Sequence, residues 1–160
     1  MAVIIEDTRQ HVGKYDAAHA YFELNDVSVT RSKLAVGDYS SPPSRVVDTK
    51  KGFEEVVGNF CSKDRDRVKR EIMLAKHMGT ELVFLIIDKT ATCIEDAKAW
   101  KNKRGKVSGE TLYKTLDTMV KRYGVRFEFC TPADSGRRIL ELLEVGEDAH
   151  NETASGFDQG

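Results

Sequence analysis

The chain has 160 residues, 40% of them hydrophobic and 32% charged, enough for one hydrophobic core and too little for two. Its 25 Lys and Arg face 26 Asp and Glu, but the last twenty residues hold six acids and no Lys or Arg, so residues 1–140 carry a net charge of +5. No apolar run nears the roughly 20 residues that cross a bilayer, and the apolar start before Glu6 is too short for a signal peptide.

Ala2–Asp7 reads as a buried strand that delivers Asp7 at its C-terminal end. Lys14–Asn25 places Ala17, Ala18, Tyr21, Phe22 and Leu24 at helical spacing, with Asn25-Asp26 as the stop. Val27–Leu34 favours a strand. Gly37-Asp38-Tyr39 leads into Ser41-Pro42-Pro43-Ser44, a turn that the prolines keep from being helical. Arg45–Thr49 is the return strand of a hairpin.

Gly52–Phe60 and Asp64–Met78 are predicted helices, the second with Val68, Ile72, Ala75 and Met78 on one stripe and Lys and Arg opposite. Leu82-Val83-Phe84-Leu85-Ile86-Ile87 within Glu81–Asp88 is a central strand. Ile94–Trp100 is weakly helical, Lys101–Lys106 is a basic loop, and Ser108 caps a helix running to Arg122 with Leu112, Leu116, Met119 and Val120 inward. Gly124 ends it before the strand Arg126–Cys130. Thr131-Pro132-Ala133-Asp134 combines a hydroxyl cap, an early proline and an answering acid, which starts a last helix to about Val145. Residues 146–160 are small, polar and acidic, and a disordered tail is expected there. Strands interleaved with helices make residues 1–145 one α/β domain with a central mixed β-sheet.

Cys61, Cys93 and Cys130 lack zinc-ligand spacing and form no disulfide framework, which fits a soluble intracellular protein of cytoplasm or nucleoid. His11, His19, His77 and His150 lack metal-ligand spacing as well. A mildly basic body with an acidic tail suits a nucleic-acid partner and no membrane.

Candidate chemistry gathers in the N-terminal third. Alternate residues of a strand share a face, so Asp48 and Lys50 point at one site. Asp38, on the facing arm of the hairpin, completes a carboxylate pair. Two carboxylates and a backbone carbonyl suit a hard cation such as Mg²⁺, while Lys50 orients or deprotonates a water. Taken by spacing alone, the same residues also describe a solvated hairpin.

The segments Ile4-Ile5-Glu6-Asp7-Thr8-Arg9, Leu34-Ala35-Val36-Gly37-Asp38-Tyr39 and Val46-Val47-Asp48-Thr49-Lys50 together resemble the nuclease domain of XPF/Mus-type structure-specific endonucleases. That family belongs to the PD-(D/E)xK, restriction-endonuclease-like superfamily. Asp48 stands where the family usually has Glu, Thr49 where it has Arg, and Gln10 where it often has Glu. The likeness spans about residues 2–145 and implies a restriction-endonuclease-like core with helices flanking the sheet. It implies metal ligation by Asp38 and Asp48, catalysis by Lys50, and supporting roles for Asp7, Arg9 and Glu54.

The implied activity is a Mg²⁺-dependent endonuclease, with Mn²⁺ as substitute, hydrolysing DNA at branches, flaps or junctions, as repair and recombination require. It also implies work as a homodimer or with a separate DNA-binding partner. Phosphate contacts are expected from Lys51, from Lys63, Arg65, Arg67, Lys69 and Arg70, and from Lys101, Lys103, Arg104 and Lys106 beside Trp100. The competing readings are a catalytically silent nuclease-like module that binds DNA or a protein, and a regulatory interaction protein on the same fold.

Overall fold

Ala2–Asp7 (β1) forms a parallel ladder with Val27–Ser32 (β2) and an antiparallel one with the short Tyr39–Ser41 (β3). The computed structural model describes residues 2–41, 45–102 and 105–144. From β3 the sheet continues through Arg45–Lys51 (β4, antiparallel to β3), Glu81–Ile87 (β5, parallel to β4) and Arg126–Cys130 (β6, parallel to β5). The strand order is β2-β1-β3-β4-β5-β6, a mixed six-stranded sheet.

Helices cover both faces because the central strands are apolar on both. On β5, Val83, Leu85 and Ile87 join a core with Ile4, Phe22, Tyr39, Val47 and Ile139, beneath Asp16–Leu24 (α1) and Ser135–Leu142 (α5). Their neighbours Phe84 and Ile86 point the other way, as the two-residue period requires. They pack with Phe53, Phe60, Leu112 and Leu116 beneath Gly52–Phe60 (α2), Arg65–His77 (α3) and Gly109–Tyr123 (α4). Phe60 meets Phe84 and Phe127 edge to face at ring-centroid distances of 5.2 and 5.6 Å, a geometry that adds to simple area burial.

Local signals explain the ends of α4. Ser108 accepts a hydrogen bond from the Thr111 amide, and Gly124 takes the left-handed conformation at φ +64°. The start of α5 departs from expectation: Thr131 makes no side-chain cap, and a 3-10 turn at Pro132–Asp134 precedes the helix. The Asp134 amide, which a Thr131 cap would engage, donates instead to the Thr131 carbonyl at 3.1 Å, and the Ser135 hydroxyl donates to the Pro132 carbonyl at 2.8 Å. Ile94–Ala99 is likewise a 3-10 helix.

Four residues placed inward by periodicity lie outside, Ala17 being exposed on the outer side of α1. Leu24 is 85% exposed and Met78 51%, each at or beyond a helix end where the chain has left the core, and Val120 sits on the edge of the buried stripe of α4 at 38%. Pro42–Ser44 of the expected turn, Val145 and the acidic segment 146–160 lie outside the described residues. Among the described residues, no helix is long and apolar enough to cross a membrane.

Candidate functional site

The C-terminal end of β1, the turn before β3, the C-terminal half of β4 and one flank of α3 enclose a cleft of about 680 Å³. Gly37 makes its shape possible. With φ at +75°, Gly37 occupies a region costly for side chains, and a Cβ there would overlap Val46 Cγ1. Its neighbour Asp38 is fixed by the backbone, its amide donating to Val47 O at 2.9 Å and its carbonyl accepting from the Asp7 amide at 2.7 Å.

The side chains of Asp48 and Lys50 share one face of β4 and meet, with Lys50 Nζ 2.8 Å from Asp48 Oδ1. Both residues are buried, at 6% and 7% exposure. The contact is a buried ion pair at charge-assisted hydrogen-bond distance, so Lys50 occupies Asp48 Oδ1. Lys50 also reaches Asn59 Oδ1 at 3.4 Å and lies over the Phe84 ring. On the next residue of β4, Thr49 gives Asp38 Oδ2 two hydrogen bonds, from its amide at 2.7 Å and its hydroxyl at 2.8 Å. Gln10 Nε2 donates in turn to that hydroxyl at 3.3 Å.

Crowding of acids in a partly dry cleft sets their ionisation. Burial, helped by the neighbouring Asp48, pushes Asp38 up to about 7 against the opposing hydrogen bonds from Thr49. Burial also pushes Asp48 up to about 7; the Lys50 ammonium opposes the rise and Glu71 reinforces it. Burial works to lower Lys50, but Asp48, Asp38 and Glu55 outweigh it and hold the ammonium above its ordinary value. The charge of the cleft floor is therefore set within the neutral pH range.

Asp7 is spent on structure. Its Oδ1 accepts from the Leu34 amide at 3.1 Å and its Oδ2 from Arg9 Nε at 2.7 Å. Arg9 also donates to Leu34 O at 2.6 Å, yet its side chain is 60% exposed at the cleft rim. Arg31 of β2 donates to the Thr8 carbonyl at 3.2 Å and to that of Gln10, holding this loop in place.

Glu54 is exposed and lies outside the cleft; its neighbour Glu55 lines it, as does Asn59 one helical turn on. Glu71 of α3 also lines the cleft and accepts from the Gly37 amide at 3.1 Å. Of the basic residues expected to contact phosphates, Arg67 and Arg70 reach the cleft. Lys51, Lys63, Arg65, Lys69, Lys101 and Lys106 are placed elsewhere, and Lys103 and Arg104 lie outside the described residues. Trp100 is half-buried against the core beneath α4.

For a divalent cation, Asp38 and Asp48 would be the donors: both offer carboxylate oxygens to the cleft, and Asp48 lies close enough to raise Asp38, although Lys50 already meets Asp48 Oδ1. Among the described residues, no group of three or more His, Cys, Asp or Glu is arranged to hold a metal ion.

No protein-family model and no curated protein matches the sequence. The fold is nonetheless the restriction-endonuclease-like α/β core. It is similar to XPF from Aeropyrum pernix, with a TM-score of 0.66 and 15% identity, over 89% of this chain and 60% of that one. It is similar also to XPF from Aeropyrum pernix in complex with DNA, with a TM-score of 0.66 and 14% identity, over 93% of this chain and 66% of that one. The chain thus spans under two thirds of the length of these solved chains, and at such identities the likeness is one of fold.

Proposed function

We propose that the chain is a nuclease-fold module that binds DNA across the cleft. The observation that carries this reading is the placement of Arg67 and Arg70, with the exposed Arg9, around a floor formed by Asp38, Asp48 and Lys50. Cationic side chains on a concave rim suit the phosphate backbone. The XPF structure solved with DNA, on the same fold, supports the choice of ligand.

The finer reading is a Mg²⁺-dependent endonuclease acting on branched, flapped or junction DNA, and the convergence of Asp38, Asp48 and Lys50 favours it. Asp38 and Asp48 would hold the cation, which when bound supplies Lewis-acid polarisation of the phosphoryl group and a more acidic water. Thr49 keeps Asp38 oriented and favours its charged form. Lys50 places a positive charge beside the reacting phosphate, where it orients water and offsets developing negative charge. A second reading, a silent module that binds DNA or a protein without cutting, is favoured by the Asp48–Lys50 ion pair, which already balances one of the two carboxylates.

Labelled duplex, fork, flap and four-way-junction DNA, each incubated with the protein in Mg²⁺, Mn²⁺, Ca²⁺ or EDTA, tests all three statements. The endonuclease cuts in Mg²⁺ and Mn²⁺, binds with little turnover in Ca²⁺, and is inert in EDTA. Binding with no cutting in any metal leaves the silent module. Absence of binding at low salt overturns the proposal as a whole.

A further inference from the structure

The flank of α3 turned away from the cleft faces α4 across a second groove, of about 300 Å³. Arg65 and Lys69 enter it from α3, Lys114 and Arg122 from α4, and no acid lines it. Helical phase produces this arrangement: Arg65 and Lys69 are one turn apart, and Thr111, Lys114, Thr115, Thr118 and Arg122 recur at three- and four-residue steps along one stripe of α4. Asp117 falls off that stripe and is bound to Lys121 at 2.8 Å.

Among the described residues, none of these four bases forms an ion pair, whereas Arg45, Arg126, Arg137 and Arg138 are all held by carboxylates. Four like charges around one groove repel each other, and an external anion relieves that repulsion. Its form follows from length. Lys114 and Arg122 stand eight positions apart, about 12 Å along the helix, farther than one compact anion reaches. A nucleic-acid backbone presents a charge about every 3.4 Å of axis on each strand. The groove also adjoins the cleft through α3, since Arg67 and Arg70 occupy one flank of that helix and Arg65 and Lys69 the other.

We propose that the α3–α4 groove is a second phosphate-backbone site, which seats a duplex arm of a DNA whose remaining part lies in the cleft. It rests on the reading of the cleft as a DNA site. The bases act as point charges and forks on phosphate oxygens, so the groove adds affinity and salt dependence without reading sequence. Preference for substrates with an arm long enough to cross α3 follows from the same geometry.

The test uses the full chain, in wild-type form and as Lys114→Gln/Arg122→Gln and Arg67→Gln/Arg70→Gln, with labelled fork DNA and with a single-stranded hexamer over a salt series. Circular dichroism melts confirm that these exposed substitutions leave the fold intact. The groove variant should bind the fork roughly tenfold more weakly at low salt, with a log K against log salt slope shallower by about 1.8, and bind the hexamer as wild type does. Unchanged affinity and slope for the fork, while the cleft variant weakens, overturn the groove and leave the cleft reading standing. Unchanged binding by the cleft variant, with loss in the groove variant, overturns the cleft reading and with it the shared path. Competition by polyglutamate equal to that of a duplex of matched charge also overturns the proposal, because it makes the groove a seat for acidic peptides.

Discussion

Thr49 donates both its amide and its hydroxyl to a single oxygen of Asp38, at 2.7 and 2.8 Å. The two bonds lock the carboxylate across the hairpin and favour its charged form, while leaving its other oxygen to the cleft. Thr49→Val keeps the shape and the amide bond but deletes the hydroxyl, leaving Gln10 Nε2 without its acceptor. The variant should lose about 1 kcal/mol of stability and titrate Asp38 at higher pH. The acid limb of a cleavage or metal-binding pH profile should then move upward, and Thr49→Ser should restore it; an unmoved limb would show that the hydroxyl only packs.

The carboxyl of Asp38, pushed up to about 7 by burial first and by Asp48 second, links folding to pH. Between the ordinary carboxylate range and pH 7 the folded state binds more protons here than the unfolded state, so stability falls as pH rises through that window. Asp38→Asn removes the penalty of ionising a buried carboxyl while keeping an oxygen to accept from Thr49. It should be more stable than wild type at pH 8 by about 1–2 kcal/mol, with the gap closing towards pH 4. Urea midpoints at both pH values check the sign; a gap that is constant with pH would contradict it.

Removing Lys50 leaves Asp48 buried without its counter-charge. Because burial already pushes the Asp48 carboxyl up to about 7, it responds by taking a proton, which limits the cost of the lost pair. Lys50→Met should therefore fold. On the endonuclease reading, single-turnover cleavage should fall roughly 10²-fold or more, with DNA affinity within a few fold because Arg67 and Arg70 remain in the cleft to meet a backbone. A loss of binding that accounts for the whole loss of cutting would make Lys50 a phosphate contact.

At Gly37, strain and collision act together, since φ is +75° and a Cβ would overlap Val46 Cγ1 and approach Val47 O at 3.2 Å. Val47 is fully buried and its strand cannot retreat. Gly37→Ala should cost about 2–4 kcal/mol and also weaken DNA binding, because the Gly37 amide holds Glu71 of α3, the helix that carries Arg67 and Arg70. Chemical denaturation paired with fork-binding titration reads both effects.

Much of this architecture is visible in the order of residues. The two-residue period in Asp48-Thr49-Lys50 puts the acid and the lysine together, and the unbroken apolar run of β5 shows that both faces of the sheet are covered. What periodicity leaves open is the flank of an amphipathic helix. In α2 both Glu54 and Glu55 are polar positions beside Phe53 and Val56, and only the docking of that helix on β4 turns Glu55 and Asn59 to Lys50. Glu71 is obscured for the same reason: it is an acid within a basic helix, and its bond to the Gly37 amide joins residues 34 positions apart. Gln10 and Thr49 depart from the pattern of the resembled family, yet here they bond to one another.

The three-residue β3 is the narrowest point of the sheet, meeting β1 at two residue pairs and β4 at three, whereas β1–β2 and β4–β5 each pair over six or seven. Two broad parallel blocks thus meet at a slender seam, and Asp7 belongs to one block, Asp48 to the other, and Asp38 to the seam itself. Mechanical compliance concentrates where a plate is thinnest, so bending about β3 would widen or pinch the cleft while each block stays rigid. The acids that would grip a cation also span this joint, and closing the grip would stiffen it.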